Sequence, residues 1–305
     1  MPPFTVIGGY LGAGKTTLLN NLLNQANGLR AAVLVNDFGD VNIDVALIAS
    51  HEGDTISLAN GCMCCSLTGG FASAIHAILQ RGETIDHIFI EASGVAEPGK
   101  VAQYGQMFEL QLDGVLVVVD AELIRTQATN KYVGETVLRQ LAQADMLLLN
   151  KSDLVLPDDS VSLREWLGER APRAPVYETA FSRVPFHVLI GRRAATVRLS
   201  RFAADNPDHE GQHETWTLTR SAPVPRAMIE RLAEQLSAKV FRAKGFVQIA
   251  EAPSRRHLLQ LVGRRWTLED VGPWDGAASA TQVVCIGPPG TSAAYGRFDG
   301  FALSQ

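Results

Sequence analysis

Short β-branched runs alternate with helical stretches through the first 180 residues. Strands are expected at Phe4–Ile7, Ala31–Asn36, Ile85–Glu91, Gly114–Asp120, Met146–Asn150 and Val176–Thr179. Leu116–Val119 and Met146–Leu149 are continuous apolar runs, as parallel strands buried on both faces are. Helical spacing recurs at Lys15–Asn27, Gly70–Arg81, Gly99–Phe108, Glu135–Ala144 and Ser160–Arg170, with Ser160 as the expected cap. Strand and helix in alternation predict an α/β fold, a doubly wound, mostly parallel sheet.

The texture changes after Gly191. The stretch Ala203–His213 is polar, turn-rich and without periodicity, so it reads as a linker. A strand at Glu214–Thr219, a helix at Val224–Lys239 and strands near Gly245–Ala250, His257–Val262 and Thr281–Ile286 follow. They predict a smaller C-terminal α+β domain. The expected organisation is residues 1–191, a linker over 192–213, and residues 214–305. From Gly287 onward the chain carries few structural signals.

Composition narrows the function classes. A net charge of −5 gives no basic face, so neither nucleic acid nor an anionic membrane is an expected partner. The N-terminus enters a strand directly and lacks a secretory pattern. No apolar run approaches the ~20 residues that span a bilayer. A cytoplasmic protein is expected, whose four cysteines serve metal, redox or packing roles rather than disulfides.

Gly9-Tyr-Leu-Gly12-Ala13-Gly14-Lys15-Thr16 matches G-x-x-x-x-G-K-[ST] between a strand and a helix, the context that identifies a P-loop. Glycines let the backbone N–H groups wrap phosphates, and the helix N-terminus favours negative charge. Lys15 is expected on the β- and γ-phosphates, and the Thr16 hydroxyl, followed by Thr17, on Mg²⁺. Glu91-Ala-Ser-Gly94 closes the third expected strand, where a carboxylate reaches Mg²⁺ through water and a glycine N–H meets the γ-phosphate. Asn150-Lys151-Ser-Asp153 fits N-K-x-D. Asp153 accepts from guanine N1–H and N2–H₂, a donor pair that adenine lacks, and the Lys151 stem stacks on the base, so GTP is expected over ATP. Ala180 lies where a backbone N–H would meet guanine O6.

Gly61-Cys62-Met63-Cys64-Cys65 packs three cysteines into four positions. Three thiolates this close suit a soft or borderline metal, Zn²⁺ with a fourth ligand, or Co²⁺ or Ni²⁺. A redox pair or plain packing remain the alternatives. Asp37, in Asn36-Asp37-Phe38-Gly39, is a candidate switch residue and a candidate metal ligand. Cys285 reads as strand core. His209 and His213 are four apart, but Gly211 argues against a helix there, and a hydrated linker is the plainer reading.

Together these segments resemble the CobW-type family of P-loop GTPases and metallochaperones. The resemblance rests on Gly8–Thr17, Asn36–Gly39, Gly61–Cys65, Glu91–Pro98 and Asn150–Asp153, and in the second domain on Phe241–Phe246 and Leu261–Arg265. It implies slow GTP hydrolysis and binding of zinc, cobalt or nickel through Cys62, Cys64 and Cys65. It also implies delivery of the metal to a client metalloprotein. The family often carries Glu where Asp37 stands, and many members have a histidine-rich linker, of which His209 and His213 remain. No arginine finger or catalytic glutamine is identifiable, so a client or a second copy of the chain, as in a homodimer, is the expected source of acceleration. A zinc sensor whose affinity GTP merely tunes, a small-molecule kinase and a ribosome- or RNA-directed GTPase are the competing readings.

Overall fold

The computed structural model describes residues 2–26, 29–36, 55–60 (backbone), 75, 76, 78, 80, 85–190, 213–237, 239–274, 280–295, 298 and 300–304. Contacts divide the chain into two units: residues 1–172 with 178–186, and residues 173–177 with 187–305.

Among the described residues the first sheet has seven strands: β1 (Pro3–Gly8), β2 (Ala31–Asn36), β3 (Thr55–Asn60), β4 (His87–Glu91), β5 (Gln111–Asp120), β6 (Met146–Asn150) and β7 (Val176–Glu178). Their order is β3-β2-β4-β1-β5-β6-β7. The ladders joining β3, β2, β4, β1, β5 and β6 are all parallel. Every residue of the two apolar runs in β5 and β6 is buried, as a sheet covered on both faces requires.

The helices of this unit are α1 (Lys15–Gln25), α2 (Pro98–Met107), α3 (Ile124–Thr129), α4 (Gly134–Gln143) and α5 (Pro157–Arg170). Of the helix expected over Gly70–Arg81, residues 75, 76, 78 and 80 are described and all are helical. Helix α1 buries Leu18, Leu19, Leu22 and Leu23 in one stripe. Helix α5 corrects the expected start at Ser160. It begins at Pro157, with Leu156 as N-cap. Proline suits the first helical position because its missing N–H would be orphaned there anyway. Asp158 and Asp159 then face the positive end of the dipole. Ser160 is buried inside the helix, and its hydroxyl has no hydrogen-bond partner among the described residues.

The single turn α6 (Phe186–Leu189) has its last three residues in the second unit. That unit is built on an antiparallel sheet of β8 (Glu214–Arg220), β9 (Arg242–Gln248), β10 (Arg255–Val262), β11 (Arg265–Pro273), β12 (Thr281–Gly287) and β13 (Ala302–Ser304). The order is β11-β10-β9-β12-β8-β13. Helix α7 (Arg226–Leu236) lays Ile229, Leu232, Ala233 and Leu236 into a core with Trp216, Val247, Leu259 and Cys285. Burial pushes the Cys285 thiol up, so it stays protonated, as a strand-core cysteine does. The tail is more ordered than its sequence suggests. Tyr295 is buried, its hydroxyl donates to the Gln235 carbonyl at 2.7 Å, and β13 pairs with β8. No helix among the described residues is long and apolar enough to cross a membrane.

Candidate nucleotide-binding site

Strand β1 lies between β4 and β5 in the sheet. The loop that follows it opens directly into α1, and Gly14 precedes the first helical residue, Lys15. Gly9 has φ 131° and Gly14 φ 108°, conformations that side chains strain to adopt. Their missing Cβ atoms also make room. A Cβ on Gly9 would lie 2.3 Å from the Val118 carbonyl oxygen in β5, and one on Gly14 would lie 2.4 Å from Asn150 Nδ2. The loop is therefore seated flush on the sheet and against the end of β6.

Lys15 is only 8% exposed, and its ammonium donates to the Tyr10 carbonyl at 3.3 Å, across the same loop. Thr16 Oγ1 donates to Glu91 Oε1 at 2.8 Å. Glu91 is buried at the end of β4, two strands' ends meeting where β1 and β4 run side by side. Thr17 is exposed on the first turn of α1. Three residues beyond Glu91, Gly94 packs so close to Leu11 that an added Cβ would come within 2.8 Å of the Leu11 nitrogen. Gln140 of α4, itself buried, holds that loop by donating to the carbonyls of Gly94 and Ala96 at 3.0 and 2.8 Å.

Asn150 ends β6 and is a structural tie. Its Nδ2 donates to the Ala13 carbonyl at 2.8 Å, and its Oδ1 accepts the Ser182 N–H at 2.7 Å. Ser182 Oγ donates to the Gly14 carbonyl at 3.0 Å. One side-chain amide thus joins the phosphate loop to the loop after β7, where Ala180 also lies. Replacing Asn150 by alanine leaves a buried carbonyl and a buried N–H without their partner. A loss of about 2–4 kcal/mol is expected from two such groups, read as a lower urea midpoint with unchanged slope. An unchanged midpoint would show that the tie carries no stability.

Lys151 has φ 62° and sets its ammonium 2.6 Å from Asp120 Oδ2. Asp120, 2% exposed at the end of β5, also accepts the N–H groups of Glu122 and Leu123 through Oδ1. The salt bridge fixes where the Lys151 stem runs. Asp153 is exposed in the 3₁₀ turn Ser152–Leu154, and no hydrogen bond or ion pair engages its carboxylate among the described residues.

The structure thus ties the phosphate loop, with Gly9, Ala13, Gly14, Lys15 and Thr16, to Glu91, Gly94 and Asn150, with Gly12 on the same loop, Thr17 on α1, and Lys151 and Asp153 directly after β6. Cys62, Cys64, Cys65, Asp37 and His209 lie outside the described residues. Sequence reasoning missed Asp120, Gln140 and Ser182. Asp120 carried the same signal as Glu91, a lone carboxylate ending an apolar strand. Gln140 and Ser182 carried none, because each acts across long sequence separation.

Comparison with known proteins agrees in both units. The family model described as CobW/HypB/UreG, nucleotide-binding domain, matches residues 3–178, more than half of the chain. The cobalamin synthesis protein cobW C-terminal domain model matches residues 213–295. The zinc chaperone CobW of a Sinorhizobium species is 31% identical over 93% of this chain and 92% of its own. The zinc chaperone YjiA of Escherichia coli is 30% identical over 93% of each. Among solved structures, the Zn(II)-bound YjiA GTPase of E. coli aligns with 97% of this chain and 98% of its own at 26% identity and a TM-score of 0.47. Residues 213–295 carry the CobW C-terminal domain match, and the chain belongs to the CobW/HypB/UreG family of P-loop proteins.

Proposed function

We propose that this protein is a slowly hydrolysing GTPase that carries a transition-metal ion, zinc, on Cys62, Cys64 and Cys65 and delivers it to a client metalloprotein. The observation that carries the nucleotide half is the 2.8 Å bond from Thr16 to Glu91. A hydroxyl that donates its proton to a carboxylate keeps its lone pairs for a cation. Hydroxyl and carboxylate are hard oxygen donors of the kind Mg²⁺ selects. Thr16 would hold Mg²⁺ directly, with Glu91 orienting a water on it, and the ion would offset charge on the transferred phosphoryl group. Lys15 supplies a second cation to the phosphates. Asp153 is open to accept the guanine N1–H and N2–H₂ pair, beside a Lys151 stem that Asp120 holds in place.

The metal half rests on the cysteine spacing and on the relatives. Thiolates favour Zn²⁺ over hard ions, and two relatives aligned over 93% of this chain carry the name zinc chaperone. Asp37 would join the nucleotide and metal sites, because in the sequence it is the next residue after β2, the strand whose Val35 pairs with Glu91 of β4.

Delivery requires that the nucleotide states differ in metal affinity. A coupling of ~1–3 kcal/mol is the ordinary range. Zinc affinity, measured by competition with a chromophoric chelator, is expected to fall at least tenfold from GTPγS–Mg²⁺ to GDP. A Cys64→Ser variant is expected to lose both the affinity and the difference. Equal affinities in the two states would sink the delivery mechanism and favour a zinc-binding protein with an independent GTPase.

A further inference from the structure

The loop after β7 holds two consecutive non-glycine residues in the left-handed region, Phe181 at φ 54° and Ser182 at φ 52°. Such backbone persists only where its surroundings over-determine it. Here they do. Asn21 Nδ2 donates to the carbonyls of Phe181 and Ser182 at 2.9 and 3.0 Å. Asn150 takes the Ser182 N–H, Ser182 Oγ reaches Gly14, and Thr179 Oγ1 donates to the Arg183 carbonyl at 2.6 Å. The Ser152 N–H donates to the Thr179 carbonyl at 3.2 Å, so the loop and the Lys151–Asp153 turn form one rim.

The Phe181 side chain takes no part in this bonding. The Phe181 ring is 63% exposed. The Arg183 guanidinium lies 5.6 Å from its centroid, within cation–π range. A large apolar ring held outward on a strained backbone, on a loop bonded to the turn that carries Asp153, is a surface that awaits a flat apolar partner.

We propose that Phe181 is the aromatic platform on which the nucleobase of the bound nucleotide stacks. The proposal rests on the nucleotide reading above and adds a division of labour. Stacking is tolerant of base identity, since every base has a π-face. Phe181 supplies affinity, and Asp153 supplies the choice of guanine.

The test is equilibrium binding of GDP and IDP, whose hypoxanthine lacks the N2 amine, by competition with a fluorescent GDP analogue. Phe181→Gly removes the ring while favouring the loop's own backbone conformation, so folding is retained, which the urea midpoint checks. It is expected to weaken GDP and IDP alike, by about tenfold, in line with aromatic–base stacking. Phe181→Tyr and Phe181→Trp are expected to restore affinity to within twofold. The tryptophan variant should also gain an emission quenched on saturation with GDP. Asp153→Asn is expected to change the GDP-to-IDP ratio, which Phe181→Gly leaves alone. Undiminished GDP binding by Phe181→Gly, or a changed ratio in it, overturns the platform while the nucleotide site stands. Absence of GDP binding by the unaltered protein overturns the nucleotide reading itself.

Discussion

Lys15→Ala is expected to lower GTP and GDP affinity by 10²-fold or more and to reduce hydrolysis to background, with the fold intact. Lys15 is nearly buried at the mouth of the phosphate loop. Removing one member of a desolvated charge pair costs about 2–5 kcal/mol, because the phosphates keep their charge and lose its partner. Within the fold the Lys15 ammonium donates to the Tyr10 carbonyl at 3.3 Å. Alanine is the best helix former, and a lysine in the first turn opposes the helix dipole, so the thermal midpoint of the nucleotide-free protein should hold or rise slightly. Titration with a fluorescent GDP analogue, alongside a thermal melt, checks both halves. A variant that binds normally would remove Lys15 from the site. One that melts far lower would make it a structural residue.

The second large effect is on stability. Gly9→Ala is expected to destabilise the nucleotide-free protein by roughly 3–5 kcal/mol. Two costs combine. At φ 131° an L residue is strained, and its Cβ would lie 2.3 Å from the Val118 carbonyl oxygen. That oxygen belongs to the interior of β5, between β1 and β6, and has nowhere to go. Gly12→Ala is the comparison. Gly12 also has positive φ, 77°, but a Cβ there would meet no atom within 4 Å. It pays the backbone term alone, about 1–2 kcal/mol. Urea unfolding of the two variants separates them, and equal losses would mean that the loop is not seated against β5 as described.

Much of the first unit was readable because its strands are covered on both faces. Leu116–Val119 and Met146–Leu149 needed no tertiary information. The P-loop, Glu91 and Asn150–Asp153 were readable because each is a local pattern at a strand end. Strand β3 was missed: Thr55-Ile56-Ser57-Leu58-Ala59-Asn60 alternates over too few residues to stand out. Strand β11, Arg265–Pro273, mixes charged and apolar residues because it forms a sheet edge. Strand β13 has three residues and exists by pairing with β8. Ser160 misled because a serine before a helical run resembles a cap, while Pro157 was the stronger start signal. Gln140, Ser182 and Phe181 become functional residues through contacts made far along the chain, or through backbone conformation, and neither is written in residue spacing.

The Asn150 tie has a consequence for how energies in this site combine. The amide that supports the phosphate loop at Ala13 also supports the 181–182 loop at Ser182. Neither loop can relax without the other feeling it. Residues that share a hydrogen-bond network depart from additivity by about 0.5–3 kcal/mol. Substitutions that disturb the phosphate loop and ones that disturb the 181–182 loop are therefore not independent in their effects on affinity. The two loops rest on a single frame, which joins the two ends of the proposed nucleotide site.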